Sequence, residues 1–193
     1  MKSEKTVFVT HPGRQHSHQL AMALHTGGYL AGYCTGVPAK DLFTASLLQP
    51  INKIFTRHQL LQLPHDKVMQ FPVEPLIRRA AGIVSNSAQI DWSHRAMEWF
   101  DRWCAKNIEI GAEVAVCYEN AANHTFKRAK ELGMKTVLDA ASFHHKWQDK
   151  FYSFRETEKV HERIRRIKDN EIRQADYVLT VSDLARESYV AAG

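Results

Sequence analysis

Apolar and polar positions along the chain follow two rhythms, a short β-rich run and then a stretch at helical spacing, repeated several times. Thr6-Val-Phe-Val-Thr10 predicts a first strand that stops at His11-Pro12-Gly13. Leu20, Ala23 and Leu24 predict a helix from about His16 to His25, ended at Gly27-Gly28 by a left-handed cap. Tyr29 to Thr35 predicts a second strand, closed by Gly36-Val37-Pro38. Residues 39–67 hold no sustained period and read as a loop with one or two short helices. Val68 to Phe71 predicts a strand stopped by Pro72 and Pro75. A helix over Trp92–Asn107 carries Met97, Phe100, Trp103 and Cys104 on one stripe.

The rhythm then returns. Strands are expected at Ala112–Tyr118, Lys135–Asp139 and Tyr177–Val181. Helices are expected at Asn123–Leu132, with Gly133 as its cap, and at Phe154–Gln174. Ser182 is placed to N-cap a last helix that begins at Asp183. Strands separated by helices predict an α/β fold, a Rossmann-like doubly wound parallel sheet with right-handed crossovers. No repeat, low-complexity tract or linker interrupts residues 1–193, so one domain is expected.

Ligands of such sheets bind beyond the carboxyl ends of the strands. That rule selects four loops: His11–His18, Tyr118–Asn123, Asp139–Trp147 and Ser182–Asp183. In the first, Gly13 lets backbone approach a ligand, the helix that follows offers N–H groups to an anion, and Arg14 offers a bidentate contact. The loop is neither the dinucleotide glycine fingerprint nor a P-loop. His11, His16 and His18 invite a metal reading, but His16 and His18 lie about 200° apart on a helix and cannot share one ion there. Hydrogen bonding to substrate, or helix capping, is the expected use of these histidines, and no metal site is expected. In the other loops Glu119 and Asn120 can hold sugar-type hydroxyls, Asp139 can bind hydroxyls or orient a neighbour, and His144 or His145 can move a proton near neutral pH.

One residue conflicts with its face. Val160, Ile164, Ile167 and Ala175 form an inward stripe of the long helix, and Glu171 falls within about 20° of Val160 on that stripe. An inward carboxylate is costly unless it is paired or hydrogen-bonded. A partner is therefore expected: an arginine, or backbone N–H groups at the start of a neighbouring helix such as the one at Ser182.

Composition narrows the classes. The 26 Lys and Arg against 21 Asp and Glu give +5 on 193 residues, too little for a nucleic-acid footprint. The outer face of the long helix mixes Lys159, Arg163, Arg166 and Arg173 with Glu162 and Asp169, as a solvated face does; peripheral contact with an anionic membrane surface is the alternative. Cys34, Cys104 and Cys117 are odd in number and far apart, as expected of reduced thiols in a cytoplasmic protein. No Gly-x-Ser-x-Gly elbow supports a Ser nucleophile, and no Cys-x-x-Cys supports redox chemistry.

Ala112–Asn120, Phe126–Gly133 and Lys135–Asp139 with His144 five residues on resemble the N-terminal half of family 4 glycosyltransferases. The run Glu171-Ile-Arg-Gln-Ala-Asp176-Tyr-Val-Leu-Thr-Val-Ser182 is the most specific part. The resemblance implies the N-terminal half of a GT-B fold. It implies transfer of a sugar from a nucleotide-sugar donor with retention, with no cofactor and no catalytic metal. This half would hold the acceptor, a sugar or lipid-linked molecule, with Gly13 near the donor phosphates and His144 near the reacting sugar. His11, Arg14, His16, Glu119, Asn120, Asp139 and Ser182 are the candidate substrate-binding residues. A donor-binding domain or subunit is then expected as partner, the chain alone is expected to be inactive, and the face left for that partner could drive a homodimer. Peripheral contact would be with the inner face of a membrane. Two other readings stand beside this one. A non-catalytic module would bind a small polar or phosphorylated ligand, and a His-dependent hydrolase would carry stoichiometric metal.

Overall fold

Six parallel strands form one sheet in the order β3-β2-β1-β4-β5-β6. The computed structural model describes residues 6–13, 16–36, 63–71, 77, 86–108 and 111–193. The strands are β1 (Val7–His11), β2 (Leu30–Thr35), β3 (Val68–Gln70), β4 (Val114–Tyr118), β5 (Lys135–Ala140) and β6 (Tyr177–Thr180). The helices are α1 (Ser17–Thr26), α2 (Asn86–Asn107), α3 (Asn123–Glu131), α4 (His145–Gln148), α5 (Glu158–Gln174) and α6 (Asp183–Val190). Strand order reverses direction between β1 and β4, so the turns after these two strands flank the crevice where such sheets take ligands.

Alternation along each strand builds two cores, one per face. Phe8, Cys34, Ala115, Cys117 and Leu138 face one side, against Phe100 and Cys104 of α2 and Phe126 and Ala129 of α3. Val9, Tyr33 and Val116 face the other, against Ala21 of α1. The three cysteines are free and buried, and burial raises the thiols of Cys104 and Cys117. The cap expected at Gly27-Gly28 forms with Gly28 at φ 78°, and Gly133 ends α3 at φ 75°. At Gly36 a Cβ would lie 1.9 Å from the carbonyl oxygen of Pro12. Only glycine allows the end of β2 to approach the first loop so closely.

Most element ends shift by one or two residues, and three departures from the sequence reading are larger. Helix α2 begins at Asn86, six residues before Trp92. Helix α5 begins at Glu158 rather than Phe154, whose ring instead stacks on His161 at 4.1 Å. The loop expected over Asp139–Trp147 contains α4, one short turn whose Lys146 N–H donates to Nδ1 of His144 at 3.2 Å. The loop and short helices expected at 39–67 fall outside the described residues up to 62. Within 63–67 a 3₁₀ turn, His65–Lys67, leads into β3.

Candidate functional site

The turn after β4 is held by two buried carboxylates from different helices. Glu171 of α5 is fully buried and accepts from the N–H of Asn120 (2.7 Å) and of Ala122 (2.9 Å). Asp101 of α2, 2% exposed, accepts from the N–H of His124 (2.7 Å), the N–H of Thr125 (2.9 Å) and the Thr125 hydroxyl (2.7 Å). These bonds satisfy amides that the first turn of α3 cannot pair internally. Glu171 thus has the kind of partner its position demanded, backbone N–H groups at a helix start, but the helix is α3 and not the one at Ser182. Burial outweighs the two amide donors and pushes its carboxyl up to about 8. Asp101 is raised by burial in the same way. The sequence reading missed Asp101, although it lies four residues after Met97 and three before Cys104, on the inward stripe of α2.

Asn120 takes a left-handed conformation, φ 69°, which asparagine tolerates better than most residues. The turn therefore presents Glu119 beside the crevice. Glu119 is 6% exposed, accepts from the Ser142 hydroxyl at 2.6 Å and lies 3.9 Å from Nζ of Lys168. Its own N–H donates to the carbonyl of Asp139 at 3.2 Å.

The first loop meets this group. His11 is 2% exposed; its Nδ1 accepts from Gly13 N–H at 2.8 Å, and its ring lies 4.1 Å from that of Tyr118. A Cβ on Gly13 would sit 3.4 Å from the His11 ring, so this turn is close without being closed to a side chain. His16, at the start of α1, contacts Asp139 Oδ2 through Nε2 at 2.5 Å across 123 residues of sequence. Arg14 lies outside the described residues.

A second group surrounds His144. Its backbone N–H donates to Ser188 Oγ at 2.9 Å, and its Nδ1 accepts from Lys146 N–H. A neutral ring then carries its proton on Nε2, facing away from that bond. Burial foremost, and then Lys146, lowers its pKa and favours the neutral form. The ring packs on His145 at 4.2 Å and edge-on to Tyr189 at 5.1 Å. His145 is lowered to about 4 by burial and then by His144, and its Nε2 is 3.1 Å from Asp169 Oδ1. Ligand-type atoms of His144, His145 and Asp169 lie within 4.8 Å of one another. The Nδ1 lone pair of His144 already serves Lys146, so the trio lacks one free donor for a cation. Burial first, and then Glu119 and Glu171, raises the Tyr189 hydroxyl well above its usual range.

The fold thus brings His11, Gly13, His16, Glu119, Asn120 and Asp139 together at the reversal of strand order, with Tyr118 and Ser142 of the selected loops beside them. His144 stands two residues beyond Ser142. Ser182 is placed differently: its hydroxyl caps α6 by accepting from Ala185 N–H at 3.1 Å.

No protein-family model matches the sequence, and no curated protein matches it. Solved structures do match in fold. Phytolacca americana UGT2, complexed with UDP-2-fluoro-glucose and pterostilbene, aligns over 95% of this chain at 12% identity and TM-score 0.50. TcCGT1, in complex with UDP, aligns over 98% at 8% identity and TM-score 0.55. The chain spans about half the length of these proteins, 49% and 47%. The six-stranded sheet with its helices matches half of the GT-B fold of these structures. Among the described residues no helix is long and apolar enough to cross a membrane.

Proposed function

We propose that this chain is the acceptor-binding half of a retaining glycosyltransferase of family 4, which moves a sugar from a nucleotide-sugar donor to an acceptor hydroxyl. The observation that carries the reading is the polar cluster at the reversal of strand order, where His16, Asp139, Glu119 and His11 converge from the ends of three strands. Carboxylates there accept hydrogen bonds from sugar hydroxyls. His144, neutral and protonated on Nε2, donates one to the sugar that reacts. The fold supports a glycosyltransferase-like role, and the sequence run from Glu171 to Ser182 supports the family.

In the proposed reaction the bond from the anomeric carbon to the donor phosphate oxygen breaks, its electron pair leaving with the phosphate, a bond to the acceptor oxygen forms on the same face, and the acceptor hydroxyl's proton passes to the departing phosphate. Gly13 gives the donor phosphates access to the first loop. A second domain or subunit supplies most of the donor site, so this half alone is inactive.

The test is the protein isolated from its natural source. A mass above 22.1 kDa, or a tightly held partner, together with sugar transfer that His144→Ala and Asp139→Asn abolish, is the expected result. A protein of that mass with no partner and no transfer, but with affinity for a small phosphorylated ligand, overturns it in favour of a binding module.

A further inference from the structure

Helix α4 is one turn of four residues, too short to hold itself together, so the residue that starts it has to be fixed from outside. That residue is His144, with φ −54° and ψ 137°, whose imidazole Nδ1 accepts from the Lys146 N–H of the turn it begins. Its own N–H has no place in the ladder of so short a turn. Ser188 Oγ of α6, 44 residues further along the chain, accepts it at 2.9 Å.

Ser188 is 4% exposed, and its hydroxyl proton is already committed: it donates to the carbonyl of Ala185, three residues back, at 2.6 Å. That bond turns the lone pairs of the oxygen towards His144. Ala185 is fully buried, and its N–H is the one that the Ser182 hydroxyl caps at 3.1 Å. A line of polar contacts thus runs from the N-cap of α6, through Ala185 and Ser188, to the start of α4. Tyr189, the next residue, sets its ring edge-on to the His144 imidazole at 5.1 Å. A buried serine within a helix is satisfied by a carbonyl of its own preceding turn. The second bond of Ser188 is not needed for that, and it crosses to the backbone of the histidine that the candidate site uses.

We infer that Ser188 is a positioning residue for His144, which it holds by the backbone so that the imidazole keeps the tautomer and direction that present Nε2–H to the reacting sugar. The inference rests on the proposed role of His144 in sugar transfer. Without Ser188 the N-cap of α4 is loose and the Lys146 bond to Nδ1 is lost. Nδ1 is then free to take the proton, which turns Nε2 from a donor into an acceptor. Direction matters as much as protonation, since a misplacement of about 1 Å costs up to about a hundredfold in rate. Ser182 acts in the same line, as the cap of the helix that carries Ser188.

The first test needs no activity. Long-range proton–nitrogen NMR spectra of the 193-residue chain report which imidazole nitrogen of His144 carries the proton. The wild type is expected to show Nε2–H alone, and Ser188→Ala a mixture, with the circular dichroism of the fold unchanged. Ser188→Thr and Ser188→Val share one shape and differ in the hydroxyl, so the first is expected to keep the single tautomer and the second to lose it. The second test is sugar transfer by the protein purified with any partner it holds. Ser188→Ala is expected to lower kcat by about tenfold or more with KM unchanged, and Ser188→Thr to restore it. The inference is overturned if His144 keeps one tautomer in Ser188→Ala, if Ser188→Thr and Ser188→Val lose it alike, or if an active protein keeps its kcat in Ser188→Ala. A mixture of tautomers in Ser188→Ala of a protein whose wild type transfers no sugar upholds the seating of His144 and overturns the transfer reading instead.

Discussion

The turns after β1 and β4 lie side by side, yet they are built on opposite principles. The β4 turn spends its amides internally. Asn120, Ala122, His124 and Thr125 all donate to Glu171 or Asp101, and both carboxylates are buried. The β1 turn is organised by imidazoles. His11 accepts from Gly13, and His16 reaches Asp139 with 46% of its side chain exposed. Helix α1 has no side-chain cap and no acid in its first turn. One turn is a rigid support, and the other is the surface to which the proposed function assigns ligand contact.

Breaking the support is expected to have the largest effect. Glu171→Ala strands two N–H groups and is expected to destabilise by about 2–4 kcal/mol in urea unfolding. A loss under about 0.5 kcal/mol, the usual surface range, would show a solvated Glu171. Asp101→Ala removes a cap and is expected to cost about 1–3 kcal/mol, with faster amide exchange at His124 and Thr125 as the local signature.

The pH dependence follows next in size. The Glu171 carboxyl is raised in the folded state to about 8, so its contribution is full below the unfolded value of 4.5 and is lost as pH rises through 8. His145 is lowered to about 4 from 6.5, so its contribution is present above 6.5 and is lost as pH falls toward 4. Stability is expected to peak between these limbs. Thermal melts across pH should show Glu171→Gln flattening the alkaline limb and His145→Asn the acid limb; unchanged limbs would refute the assignment.

The smallest stability effect is expected on the working side. His16→Ala breaks a partly exposed contact worth about 0–1 kcal/mol, so the melting curve should barely move. Ligand affinity or transfer should fall sharply in the same variant. If stability falls as far as in Glu171→Ala, the two turns do not differ in kind.

Much of this was legible in the sequence, for identifiable reasons. The sheet declared itself because each strand is a short apolar run ended by glycine or by polar residues, and the helices between carry clear stripes. Glu171 was legible because a carboxylate on an apolar stripe needs an explanation. Its partner was not, since a helical wheel gives direction but not neighbour. Strand order decides which turn α5 faces, and that order depends on long-range pairing. Asp101 carried the same signal as Glu171 but sat among aromatic residues that drew attention first. The pairing of His16 with Asp139 joins loops from two strands that are not adjacent in the sheet, and no local pattern announces it. His144 was expected from the loop after β5 and from the family resemblance, whereas the Lys146 amide that fixes its tautomer depends on the short turn of α4.

The two bonds to Glu171 have a consequence for motion. Loop amides ordinarily exchange with solvent through small local openings. Those of Asn120 and Ala122 cannot be released without pulling α5 away from α3. Their exchange should follow the rate of the sheet interior, so that a surface turn keeps the time of the core.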